Sequence, residues 1–238
     1  MIVEDFVMGE TNEEKLLSLE ELYAKATAMY MHSVADRDFL QMQEMFQSLG
    51  TYRDSEKYLK KCEYFLSCTA GNKITFGKYH GTELVWTILC TDGPRCLLLA
   101  DAPVEYMYFH QERDNTPWSS CALRRWLNKQ FLEEAFSLQD RMNILLIPHQ
   151  NNTDPRWGDE NGPDTRDKAF VFNLKELDEY LPEQKDRAIG EWWWLRGHGC
   201  SNLNQQVVYK DGTIYANGVS SNAPDMGVRP AMWVRRKR

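Results

Sequence analysis

The chain has 238 residues, 42% of them hydrophobic and 26% charged, with a net charge of −7. That apolar fraction excludes wholesale disorder, and the acidic balance argues against function through attraction to a phosphate backbone. The composition is lopsided. All eight Trp and all nine Pro lie after residue 85, while residues 1–70 hold two of the fourteen Gly. This split predicts a helical front and a strand- and loop-rich back. The charge follows the same divide, since residues 1–70 carry 13 acidic and 7 basic side chains.

The amino-terminal stretch is acidic and has no long apolar run, so no signal peptide is predicted. No segment approaches 18 apolar residues, so no membrane span is expected. The six cysteines (62, 68, 90, 96, 121 and 200) contain no C-x-x-C. Reduced thiols and a cytoplasmic location follow as the default. The basic run Arg235–Arg238 reads as a solvated end that keeps the last strand from templating others.

From Thr11 to Leu66 apolar residues recur every three or four positions. One stripe is Leu16, Leu19, Leu22, Tyr23, Ala26, Met29 and Tyr30; the next is Phe39, Met42, Met45, Phe46 and Leu49, closing at Gly50. These are the buried faces of amphipathic helices. Thr11 or Asn12 is a start signal, Gly50 a stop, and Asp54 or Ser55 a cap for a third helix through Tyr58, Leu59, Cys62 and Leu66. Met29, Met31, Met42 and Met45 suit either an adaptable surface or core filling.

The back of the chain mixes periods. Lys73–Tyr79 alternates as a half-buried strand does. Leu84–Cys90 and Arg95–Ala100 flank Asp92-Gly93 as a hairpin. Ser119 or Ser120 is a cap for a helix through Leu123, Trp126, Leu127 and Phe131, and Asn173 caps one that Pro182 ends. Val207–Tyr209 and Thr213–Tyr215 form a second hairpin around Asp211-Gly212, and Val228–Val234 is a closing strand. Strands and helices do not alternate regularly, so the expected class is α+β, with a helical unit at 1–70 and a mixed domain at 71–238.

Phe46-Gln-Ser-Leu-Gly50-Thr-Tyr52-Arg-Asp-Ser55 resembles the helix junction of tetratricopeptide-like repeats and covers about one and a half of them. Four further motifs occur in order: Ile74-Thr-Phe-Gly77 before a strand with Trp86; Trp118-x4-Leu123-Arg-x-Trp126-Leu-Asn128; Asp164-Thr-x-Asp167-Lys-x-Phe-Val-Phe172; and Trp193-Trp-Leu-Arg196 followed by Gly227-Val-Arg-Pro-Ala-Met-Trp233. Together they resemble the bacterial family called domain of unknown function 6273. Its organisation is similar to the C-type-lectin-like fold of formylglycine-generating enzymes, and tetratricopeptide-like helices are an expected companion. The resemblance implies a C-type-lectin-like domain in which most tryptophans are core.

Four places can carry chemistry. Trp192 and Trp194 share a strand face and can offer a platform to a sugar or aromatic group, with Arg196 and Arg229 nearby. The polar stretch Asn202, Asn204, Tyr209, Tyr215, Asn217 and Asn222 falls where C-type-lectin-like folds place their ligand face, and where relatives in diversity-generating retroelements place variable positions. The loop 149–168 carries Asp154, Asp159, Asp164 and Asp167, oxygen donors suited to Ca²⁺, although the spacing is not that of an EF-hand. Cys200 and His198 form a nucleophile–base pair in principle; the second active-site cysteine of formylglycine-generating enzymes is absent beside Cys200, so that oxidase chemistry does not carry over.

The expected function is non-catalytic binding of a protein or a small polar ligand, with no nucleic acid and no membrane. The alternatives are an enzyme using Cys200/His198 or a metal loop, and a scaffold that binds through its helices. No cofactor is expected beyond Ca²⁺.

Overall fold

The computed structural model describes residues 12–151 and 161–236, with side chains from Ser18 onward. The chain divides into two compact units, one of residues 1–67 together with 236–238 and one of residues 68–235. The sequence placed the divide at 70/71 and gave the last three residues to the second unit; the contacts put it between Ser67 and Cys68 and assign Arg236 to the helices. No described helix is long and apolar enough to cross a membrane.

Three helices build the first unit: α1 (Asn12–His32), α2 (Asp36–Leu49) and α3 (Ser55–Ser67). The α2 stripe Phe39, Met42, Met45, Phe46 and Leu49 is buried against Ala26, Tyr30, Cys62 and Phe65. Phe39 and Phe65 stack at 3.6 Å and 4°. Of the four methionines, Met42 and Met45 are core while Met31 is exposed. Leu16 lies outside the described side chains. Gly50 ends α2 with φ +54°, a conformation that carries no Cβ penalty only in glycine.

The expected side-chain cap of α3 is absent. Ser55 Oγ donates to the Tyr52 carbonyl at 2.6 Å, and the Asp54 carboxylate accepts the Tyr23 hydroxyl. The Asp54 carbonyl alone receives the first helical amides, those of Lys57 and Tyr58. Arg236 closes the unit. Its Nη2 bonds Asp36 Oδ1 at 2.9 Å and the Phe65 carbonyl at 3.2 Å, and its guanidinium lies 4.0 Å from the Phe65 ring centroid.

The second unit has helices and sheets in α+β order. Strands β1 (Lys73–Tyr79), β2 (Thr82–Asp92) and β3 (Arg95–Ala100) form an antiparallel meander, and a short β4 (Glu105–Tyr106) follows. A helical segment comprises α4 (Ala122–Trp126), a π-turn at Leu127–Phe131, and α5 (Leu132–Ala135); α6 (Leu138–Asn143) is next. Then come β5 (Ile147–His149), β6 (Thr165–Asp167), α7 (Leu174–Tyr180) and α8 (Gln184–Arg187). Strands β7 (Trp193–His198), β8 (Asn204–Val208), β9 (Ile214–Ser220), β10 (Gly227–Val228) and β11 (Ala231–Arg235) complete the unit.

One sheet has the order β1-β2-β3-β11, a second β4-β10-β7-β8-β9, and β5 pairs with β6. The closing strand expected over 228–234 is two strands. Gly227–Val228 belongs to the second sheet and Ala231–Arg235 to the first, so the chain changes sheets at Arg229-Pro230. Proline lacks the N–H that a continuous ladder needs, which makes this the natural place to change sheets.

The largest fully buried side chains are mostly aromatic. Trp86, Trp118, Trp193 and Trp194 are fully buried; Trp126, Trp192 and Trp233 are half-buried. Trp86 Nε1 donates to the Phe76 carbonyl at 2.7 Å, so burial leaves no indole N–H orphaned. Cys121, rather than Ser119 or Ser120, caps α4: its Sγ accepts the Arg124 amide at 3.3 Å, while the two serines sit in a preceding 3₁₀ turn.

Candidate ligand-binding face

Register decides which residues of β7, β8 and β9 share a face. Trp194 lies opposite Val207, Val207 opposite Tyr215, and Trp193 opposite Val208. Because directly paired residues point the same way and neighbours alternate, Trp192, Trp194, Val207, Tyr209 and Tyr215 share one side while Trp193 points to the other. The loop after β4 covers only part of this side. Trp194 is sealed there, with Phe109 edge-on at 5.8 Å and its Nε1 donating to the Met107 carbonyl at 2.9 Å. It is core and no platform, a correction to the sequence reading.

Beyond that cover the face stays open. Trp192, Tyr209 and Tyr215 are half-buried and form a row, with ring centroids 4.2 Å apart for the first pair and 5.1 Å for the second. Burial, together with Tyr215 and Asp211, pushes the Tyr209 hydroxyl above its usual pKa. The turn supporting the row is clamped. Asp211 accepts from the Thr213 amide at 2.9 Å, and Arg187 Nε donates to the Gly212 carbonyl at 3.0 Å. Gly212 has φ +84°, and a Cβ there would collide with the Gln184 carbonyl. Arg187 also holds the Leu181 and Pro182 carbonyls, which ties the turn to the segment that follows α7.

The polar residues expected on the same face are elsewhere. Asn204 pairs with Ser220 at the opposite end of the β8–β9 hairpin, five residues from Tyr209, or about 17 Å at strand rise. Asn202 is half-buried near that end, and Asn217 and Asn222 are exposed, with Asn222 Oδ1 accepting from the Ser220 hydroxyl at 2.8 Å. The nine expected residues therefore divide into an aromatic end, a polar end and two buried side chains, Trp194 and Arg196.

Arg196 is 2% exposed. Its Nη2 donates to Glu176 Oε1 at 2.7 Å, its Nη1 bonds Glu176 Oε2 and the Val171 carbonyl, and its Nε reaches Asn151 Oδ1 at 3.2 Å. With these bonds made, it serves the fold. Glu176 is at the same time the third residue of a capping box, its Oε2 accepting the Asn173 amide while Asn173 Oδ1 accepts the Glu176 amide. His149 Nδ1 lies 3.5 Å from Glu176 Oε1. Burial pushes the Glu176 carboxyl up, but Arg196, His149 and the Asn173 amide outweigh it and hold it at about 2. This cluster borders a cavity of about 520 Å³ whose other walls include Arg95, Trp233 and Tyr180. His149 and Glu176 are not among the site residues expected from the sequence. The signal for Glu176 was present in Asn173-x-x-Glu176.

Cys200 is exposed and His198 is 2% exposed. The Cys200 thiol's hydrogen bond is with Asn204 Nδ2, at 3.8 Å, and none joins it to His198. The expected nucleophile–base pair is not assembled. In the oxygen-rich loop, Asp154 and Asp159 lie outside the described residues. Asp164 accepts the Asn151 amide at 3.0 Å. Asp167, fully buried, accepts from Trp118 Nε1 at 3.0 Å, Thr165 Oγ1 at 2.8 Å and Arg124 Nε at 2.7 Å. Among the described residues no group of three or more His, Cys, Asp or Glu side chains is placed to hold a metal ion.

A family model described as domain of unknown function (DUF6273) matches residues 93–236. No curated protein and no solved structure matches the chain.

Proposed function

The chain belongs to the DUF6273 family, a domain of unknown function, and from that premise we propose that it is a non-catalytic binding module for a small polar ligand with a flat apolar face, a saccharide ring being the best-fitting chemistry. The observation that carries this reading is the row Trp192–Tyr209–Tyr215, three rings in successive contact and open on one side. Aromatic side chains combine large contact area with few rotatable bonds, so little entropy is lost when a ligand stacks on them. The clamped turn beneath them keeps the row in place before a ligand arrives.

The same premise extends to the fold. We read the second unit as C-type-lectin-like and the helices as tetratricopeptide-like. The first reading is supported by the mixed unit in which β11 returns to pair with β3, the second by the α2–Gly50–α3 junction.

The test is a panel of immobilised glycans probed with the full chain. Retention by the wild type that is lost in Trp192→Ala and Tyr215→Ala, with melting temperatures unchanged, supports the reading. A buried anchor of this kind is worth about 2 kcal/mol, or roughly thirtyfold in affinity. Retention that is equal in wild type and both variants, or absent from all three, overturns it.

A further inference from the structure

A second cavity, of about 550 Å³, lies within the second unit, on residues separate from the aromatic row. Lys73, Thr87, Asp101, Asp186 and Arg229 supply polar lining, and Leu181 and Ile189 supply apolar lining. Arg229 is 4% exposed. Of its five N–H groups one is used: Nε donates to the Ala100 carbonyl at 2.8 Å. Nη1 is enclosed and has no acceptor, and Nη2, which is not sealed off, makes no hydrogen bond either. One face of the guanidinium lies against the Trp193 ring at 5.1 Å, and Nη2 is the donor left for the cavity.

Asp101 is the residue placed to neutralise Arg229, yet its oxygens are committed elsewhere. Oδ2 accepts from Lys73 at 2.7 Å and Oδ1 from the Thr87 hydroxyl at 2.8 Å. The lining carries two cations, Lys73 and Arg229, and two carboxylates, Asp101 and the exposed Asp186, so it is an unbonded guanidinium N–H rather than a net charge that a ligand meets. Burial pulls Arg229 down to about 10, with Asp101 only partly opposing, so the charge persists at neutral pH without a hydrogen-bonded counterion.

The accessible Nη2 can donate one charge-assisted hydrogen bond to a carboxylate oxygen. A dianion would be repelled by both Asp101 and Asp186, which favours a monoanion. The apolar wall calls for a hydrocarbon body, and the volume lies within the usual range for small-molecule sites. We propose that this cavity binds a small monocarboxylate, one oxygen on Nη2 of Arg229 and its apolar body against Leu181 and Ile189.

The experiment uses the full chain with benzoate, butyrate, inorganic phosphate and chloride at matched ionic strength. It follows thermal unfolding together with saturation-transfer NMR of the benzoate protons. Expected are a benzoate transfer signal that butyrate competes away, and a rise in melting temperature of about 3–6 °C at ten times Kd. Both should vanish in Arg229→Met. Because that variant removes a buried group and is at risk of misfolding, Ala188→Glu is the second test. Ala188 is an exposed rim residue, and a carboxylate there competes for the guanidinium without emptying the core. No transfer signal in the wild type, an undiminished signal in Ala188→Glu, or an equal shift from phosphate or chloride would each overturn the proposal.

Discussion

Replacing Glu176 with Gln tests whether the second unit is held by a single buried charge. The substitution keeps the shape and the capping-box acceptor but removes the negative charge that Arg196, 2% exposed, faces. Two routes give the magnitude. The carboxyl stands at about 2 rather than 4.5, which is worth about 3 kcal/mol at neutral pH. Removing one partner of a buried ion pair costs about 3–5 kcal/mol in other systems. All eight Trp lie after residue 85, so urea unfolding followed by tryptophan emission reports this unit alone. The expected loss is about 3 kcal/mol at pH 7. The folded pKa lies below the unfolded one, so the stabilisation is complete above about 4.5 and is lost as pH falls through about 2. The wild type therefore weakens over that window, and Glu176→Gln flattens that limb. The double variant Glu176→Leu/Arg196→Met should recover much of the loss, because an unpaired charge is worse than none. A single variant within 1 kcal/mol of wild type, or a double variant no better than the single, would refute the reasoning.

Three further outcomes follow from particular contacts. Asp167→Asn removes the charge that Arg124 pairs with at 2.7 Å and weakens three hydrogen bonds; tryptophan-monitored unfolding should show a loss of about 2–4 kcal/mol. Gly212→Ala places a Cβ against the Gln184 carbonyl at φ +84°, so its melting temperature should fall, with a cost of about 2 kcal/mol or more. Arg236→Ala takes a charged hydrogen bond and a cation–π contact from the helical unit, and circular dichroism at 222 nm should register about 1–2 kcal/mol less stability.

The parts legible in the sequence are those governed by periodicity and punctuation. The stripe from Phe39 to Leu49, the stop at Gly50, the strand Lys73–Tyr79 and the Asn173 cap all depend on neighbours within a few residues, and each appears where its pattern predicts. The misses depend on partners far away in the chain. Alternation correctly placed Trp192 and Trp194 on one face, but Phe109 and Met107 determine which of them is covered, and no local pattern carries that information. The Arg196–Glu176 pair spans twenty residues and the Arg124–Asp167 pair forty-three. Cys121 took the capping role because the 3₁₀ turn at Trp118–Ser120 shifts the helix start past both serines.

The buried charges share an arrangement that bears on how the open faces are held. Arg196 joins β7 to α7 and to the carbonyl of Val171, Asp167 joins β6 to the Trp118 turn and α4, and Arg187 joins α8 to the β8–β9 turn. In each case a strand or its turn is bonded to an irregular or briefly helical segment, where a regular ladder of backbone bonds is lacking. Apolar packing is non-directional and tolerates sliding of such segments; a multidentate ionic hydrogen-bond set does not. A buried pair contributes little net stability against a well-packed apolar substitute, so its effect here is on position. If that is correct, the Glu176→Leu/Arg196→Met variant should regain stability yet show faster amide exchange in α7 and the Val171 segment than the wild type. Equal exchange in the two proteins would mean that packing alone fixes these segments.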